Sequence, residues 1–253
     1  MDEIKISLCI PTKNRFDNFL NNYLDNYLDY LKRKIINEII ISDEDGLDYE
    51  KINNKYKDYI INNNDFKVYK NSKVLGVFIN KHKVSCLANN DYVALLDSDN
   101  FADENYFLTV KKFIYENKDK LSKHFVIAPD FAKPCLDYSA HSEVFYTKNN
   151  VKNYLDRHLF PQLLNTGNYV FTKNLMTKLK YESFIENMHR IGPYDVVFSN
   201  LLFFQQYEDF QFHCLKGLNY SHVVHNDSEF LKNHHSCDSF YYEVILPSFQ
   251  KLQ

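Results

Sequence analysis

Tryptophan is absent from this chain of 253 residues, and glycine and proline are scarce, with five and six copies. With so few linker-forming residues, no Pro-, Gly- or Ser-rich stretch divides the sequence, and no internal repeat is found, so one continuous domain is expected. The five cysteines (Cys9, Cys86, Cys135, Cys214 and Cys237) are odd in number, widely spaced and lack a C-x-x-C pair. That excludes a disulfide framework and a cysteine zinc site. No apolar run approaches the roughly 18 residues of a membrane span. The acidic start, Met1-Asp2-Glu3, also lacks the basic segment of a signal peptide, so a soluble, cytoplasmic protein is expected. A net charge of -3 without a basic tract argues against a nucleic-acid partner. Arginine is rare beside lysine, occurring at Arg15, Arg33, Arg157 and Arg190, so an arginine near a ligand-binding edge gains weight.

What is present is an alternation of short apolar runs and amphipathic stretches. Ile4 to Ile10 reads as a first strand stopped at Pro11, which cannot donate to a ladder. Apolar positions 16, 20, 23, 24, 27, 28 and 31 then mark one helix stripe. Strands are expected again at Glu38 to Ser42, Phe66 to Tyr69 and Tyr92 to Leu96, with a helix from Gly76 to about Ala88. Four strands separated by helical segments are the pattern of parallel βαβ units, so the fold class is α/β. Further on, Asn105 to Asn117 reads as a helix, Phe125 to Ala128 and Val144 to Tyr146 as short strands, and 167–171 as another. Gly192-Pro193-Tyr194-Asp195 opens a helix to about Gln206, and Phe210 to Leu215 and Asn219 to His225 read as two late strands.

The fourth strand ends in Asp97-Ser98-Asp99-Asn100. Ligands bind at the carboxyl ends of strands in open α/β sheets, and two carboxylates one residue apart can share a hard divalent cation. A polar turn is the plainer explanation of the Asp-x-Asp pattern taken alone.

Ordered matches elsewhere add to it. Pro11-Thr12-Lys13-Asn14-Arg15 looks like a P-x-x-N-R loop, and Ser42-Asp43-Glu44-Asp45-Gly46 like a D-D-G segment. Leu75-Gly76 followed by Asn80-Lys81-His82 stands where L-G and A-R-N would be, and Leu95 to Asn100 is similar to L-D-x-D-D. Together these resemble the GT-A glycosyltransferases of the family 2 type, over residues 5 to about 110. Lys81 in place of the usual arginine makes any diphosphate contact there a point charge rather than a fork, and Asn100 replaces a usual aspartate.

The resemblance implies a Rossmann-like, mostly parallel sheet flanked by helices, with residues 1–110 as the donor half and 111–253 as the acceptor half. It further implies a nucleotide-sugar donor, a UDP- or GDP-sugar, and a glycan or glycoconjugate acceptor. Donor contacts are implied at Pro11, Thr12, Arg15, Asp43, Lys81, Asp97 and Ser98, and Mn²⁺ or Mg²⁺ at Asp97, Asp99 and His225. His225 is chosen because it lies three residues before Ser228, as in the family's H-x-x-S pattern; zinc on His222, His225, His234 and His235 is the rival.

In the second half Asp195 is the implied acceptor-site base, with Glu182 and Glu186 as alternatives and a helix-capping role as the plain explanation. Asn165-Thr166-Gly167-Asn168 resembles an acceptor-side glycine turn. The expected reaction is metal-dependent sugar transfer with inversion. A sugar nucleotidyltransferase is the alternative, although its usual glycine-rich loop is missing from Pro11 to Arg15, as is a non-catalytic nucleotide- or sugar-binding module of the same fold.

Overall fold

A computed structural model describes residues 3–134, 136–142, 144–154, 164, 167–225 and 238–252. The first half builds β1 (Ile6–Thr12), α1 (Asn21–Lys32), β2 (Glu38–Asp43), α2 (Leu47–Asn62), β3 (Phe66–Lys70), α3 (Val77–Cys86), β4 (Tyr92–Leu95) and α4 (Glu104–Asn117). Strands β3, β2, β1 and β4 lie side by side in that order, all parallel. Their buried faces explain the continuous Ile and Leu runs, since a parallel sheet covered by helices has no solvent face to alternate toward.

The sheet continues into the second half with β5 (Phe125–Lys133), β6 (Leu136–Asp137), β7 (Phe145–Thr147), β8 (Val170–Thr172) and β9 (Gln211–Ser221). Strand β8 runs antiparallel between β4 and β5, β9 is parallel to β5, and β7 closes this edge. Helix α5 (Asp195–Gln206) packs its Phe198, Leu201, Leu202, Phe203 and Phe204 into the core. No helix among the described residues is long and apolar enough to cross a membrane.

Two expectations are corrected. Strand β1 does not stop at Pro11 but runs to Thr12, pairing with β2 as far as Asp43. Cys9 offers its carbonyl to Leu96 N–H on the β4 side, and Pro11, two residues later, faces the same way beyond the last β4 partner. Its missing donor therefore costs no ladder bond. The two late strands are one, β9, whose register against β5 shifts between Pro129 and Phe131. Gly217, at φ +78°, turns the extra residues out, and its N–H donates to Asp130.

At the opposite end of the sheet from the strand tips, Glu38 is buried and accepts from Ser7 Oγ at 2.7 Å, Lys67 Nζ at 2.9 Å and Asn89 N–H at 2.8 Å. Burial raises its pKa, but these hydrogen bonds outweigh burial and leave the carboxyl below its ordinary value. A depressed folded pKa stabilises the fold above the unfolded pKa and loses that contribution as pH falls through the folded value. Glu38→Gln should therefore cost about 1–3 kcal/mol in urea unfolding at neutral pH. The gap to wild type should close as the pH drops below the carboxylate range; a gap independent of pH would contradict this account.

Candidate active site

The carboxyl ends of β1, β2 and β4 meet on one edge of the sheet, and the order β2-β1-β4 puts the switch in chain direction at β1. That is where a ligand crevice forms in an open α/β sheet. The loop after β1 turns back at Asn14, whose φ of +52° is tolerated by an asparagine side chain. Asp48 in the first turn of α2 holds this loop. It is fully buried, and its carboxylate accepts Thr12 Oγ1 at 2.6 Å, Arg15 N–H at 2.8 Å and Phe16 N–H at 3.0 Å. Thr12 is thus tied inward through its hydroxyl.

Asp43, at the tip of β2, is buried and accepts Tyr49 N–H at 2.7 Å and Asp45 N–H at 3.3 Å. Burial pushes its carboxyl above the ordinary value against the opposing Tyr49 hydrogen bond. Gly46, at φ +91°, makes the turn into α2. Glu44 accepts the N–H of Gly76, which begins α3. Asn80 fixes α3 to β2 by accepting Ser42 Oγ at 2.8 Å and donating to the Ser42 carbonyl at 3.1 Å. The next residue on that helix is Lys81.

Lys81 lies between two carboxylates, with its Nζ 2.8 Å from Asp97 Oδ1 and 2.8 Å from Asp195 Oδ2. Burial alone would lower its pKa, but Asp195 and Asp97 outweigh burial and raise it, so the ammonium is held charged. Asp195 is the first residue of α5, so the cap position falls to Tyr194 before it. The capping explanation is not what the geometry favours; the carboxylate is turned to Lys81. Gly167 lets α5 come this close, since a Cβ there would lie 3.2 Å from Val196. Asn168, at φ +54°, accepts Asp97 N–H at 2.7 Å through its side chain, and its carbonyl accepts Tyr106 Oη–H at 2.6 Å. The preceding Asn165 and Thr166 lie outside the described residues.

A second charged group forms around Asp99. His225 Nε2 lies 3.0 Å from Asp99 Oδ2 and Arg15 Nε 3.9 Å from the same oxygen. Phe19, in the π-helical turn Phe16–Leu20, packs against both side chains, its ring centroid 4.7 Å from that of His225 and 5.6 Å under the Arg15 guanidinium. Asn100 is buried and accepts Val223 N–H at 3.1 Å, which brings the segment carrying His225 alongside Asp99. The Asn100 side chain thus has a structural use, one that an aspartate oxygen could also serve as acceptor.

Structure thus gathers Asp97, Lys81 and Asp195 in one group and Asp99, Arg15 and His225 in another. Ser98 is buried within the Asp97–Asn100 turn, and Glu182 and Glu186 are exposed on the 3₁₀ stretch Glu182–Arg190. His222 N–H donates to the Lys133 carbonyl, while His234, His235 and Ser228 lie outside the described residues.

Among the described residues no three His, Cys, Asp or Glu side chains converge as a metal cage. The close pair of Asp99 and His225, a carboxylate oxygen and an imidazole nitrogen, fits a divalent cation whose other ligands are water and phosphate oxygens. Asp97 differs, because one of its oxygens is already on Lys81. Asn168 belongs to the turn that resembles the acceptor-side glycine turn, whereas Asp48 stands outside the sequence motifs; an Asp at the start of a helix after a D-D-G-like turn is the available signal for it.

Residues 7–173 match the family described as glycosyl transferase family 2. No curated protein matches the chain by sequence. Among solved structures, S. aureus TarS 1–349 in complex with UDP is similar at a TM-score of 0.60 and 14% identity, over 92% of this chain and 64% of that one. The same fragment in complex with UDP-GlcNAc gives 0.62 and 13%, over 89% and 60%. A longer TarS structure gives 0.58 and 13%, over 94% and 40%, so the chain spans less than two thirds of these TarS chains. At such identities the likeness is one of fold, and the fold is the expected GT-A α/β type.

The hold of Asp48 on the β1 loop has a measurable consequence. Asp48→Ala strands three buried donors and should cost about 1–3 kcal/mol in urea unfolding. Asp48→Asn, which keeps one acceptor oxygen, should lose less; equal stability of all three proteins would refute the role given to this carboxylate.

Proposed function

From its membership of glycosyl transferase family 2, to which the chain belongs, we propose that it transfers a sugar from a nucleoside-diphosphate sugar to an acceptor hydroxyl, with a divalent cation and with inversion. The observation that carries this reading is the gathering, at the carboxyl ends of β1, β2 and β4, of Asp99 with Arg15 and His225 and of Asp97 with Lys81 and a carboxylate, Asp195, brought from the other half of the chain. UDP is the first nucleotide to try, because the TarS fragment of similar fold is described in complex with UDP and with UDP-GlcNAc.

The chemistry divides between the two groups. The nucleoside lies along Pro11 and Thr12, with Asp43 accepting a hydrogen bond from the base. The diphosphate leaves as an anion, and Arg15 supplies positive charge beside it. A Mn²⁺ or Mg²⁺ ion held by Asp99 and His225 would add Lewis-acid neutralisation of the same oxygens. The acceptor hydroxyl is a poor nucleophile at neutral pH, and Asp195 takes its proton as it attacks the anomeric carbon from the face opposite the diphosphate. An acceptor from the glycan or glycoconjugate class follows from this reaction.

Thermal unfolding against UDP, GDP, CMP and dTDP, each with and without Mn²⁺, tests the donor site. The matching nucleotide with metal should stabilise the chain by about 2.7 kcal/mol at a hundredfold excess over Kd. Asp99→Ala should abolish the shift, and absence of any shift in the wild type would sink the reading. Asp195→Asn should lower kcat by about 10²–10⁴-fold in steady-state transfer assays while nucleotide affinity stays near wild type.

A further inference from the structure

The residue that does not fit its place in the sequence pattern is Lys81. By position it is a diphosphate contact, yet its side chain is largely buried and its Nζ already lies 2.8 Å from an oxygen of each of two carboxylates, one from each half of the chain. We infer that Lys81 is a positioning residue for the acceptor base, holding the Asp195 carboxylate against the donor half through Asp97, and is not principally a ligand of the diphosphate. This rests on the proposed transfer reaction, because it is that reaction which gives Asp195 a proton to take.

The geometry is that of a strut. Both carboxylate oxygens lie on one nitrogen, so they are at most twice 2.8 Å apart, and without the cation two anions that close would repel. Each end of the strut is anchored independently. Lys81 follows Asn80, which is buried and bonded to Ser42 on β2. The Asp97 N–H is fixed by Asn168, and Asp195 begins α5, packed close over Gly167. The Tyr169 phenol, held neutral by burial, also lies beside this cluster. Among the described residues, Lys81 is the cation that pairs with Asp195.

A lysine that serves the base and a lysine that binds phosphate differ in what its loss does. The test uses the full chain as wild type, Lys81→Met, Lys81→Arg, Asp195→Asn and the Lys81→Met/Asp195→Asn pair. UDP with Mn²⁺ is titrated calorimetrically, and turnover is read as UDP released from UDP-GlcNAc in the presence of a panel of sugar acceptors. A positioning role predicts that Lys81→Met keeps the UDP Kd within about threefold while kcat falls about 100-fold, and that Lys81→Arg recovers part of the loss. It also predicts that the pair is no slower than Asp195→Asn alone, since two residues that act as one unit are not additive. Urea midpoints for all five proteins identify any variant that fails to fold, and the charge-retaining Lys81→Arg then carries the comparison. A UDP Kd weakened about tenfold or more in Lys81→Met, or a pair whose loss is the product of the two single losses, overturns the inference. If the wild type binds neither UDP nor another nucleoside diphosphate and releases none, the transfer reading itself has failed, and that is seen before any variant is compared.

Discussion

The site depends on the parting of two adjacent parallel strands. Strands β1 and β4 are hydrogen-bonded as far as Cys9 and Leu96. Beyond that point β1 presents Pro11, which has no N–H to extend the ladder on that side. The chains diverge, and the backbone beyond β4 turns at Asp97 to Asn100 with its carboxylates at the sheet edge. A donor at position 11 could have prolonged the pairing and filled the crevice with backbone.

Three aspartates in so small a volume need cations. Asp99 has Arg15, with the His225 imidazole beside it, and Asp97 and Asp195 share Lys81. Pairing buried charges yields little net stability, because desolvation offsets most of the Coulomb gain, while removing one partner leaves an uncompensated charge at a cost of about 3–5 kcal/mol. The arrangement is better understood as orientation than as stabilisation. Its supports are neutral or distant: Asn80 under Lys81, Asn168 on the Asp97 N–H, Asn100 on Val223, and Asp48 beneath the β1 loop. The aromatic face of Phe19 behind Arg15 and His225 serves the same end by packing.

The first half of the fold was legible because its signals are local. Buried parallel strands are short runs of Ile, Val and Leu, and α1 carries its apolar stripe where Leu24, Tyr27, Leu28 and Leu31 are buried. Among the residues that the sequence motifs single out, Arg15, Asp97 and Asp99 stand on loops after strands, while Lys81 and Asp195 stand on α3 and α5. The part Asp48 plays is not legible in the sequence because it acts through contacts 32 or more residues away, with no periodic pattern to announce them. The single long β9 was read as two strands because a glycine with neighbouring polar residues looks the same in a turn as in a bulge.

The sequence by itself determined the α/β class, the order of the first four strands along the chain and the presence of paired aspartates after the fourth. Hydrophobic period and turn chemistry are properties of neighbours in the chain. Tertiary structure alone decided which charges meet. The partners of Asp97, Asp99 and Asp195 come from α3, the β1 loop and the segment after β9, and chain separation has no bearing on a 2.8 Å contact. That is why Lys81, placed by its motif beside the diphosphate, is found between two carboxylates once α5 has packed against the sheet.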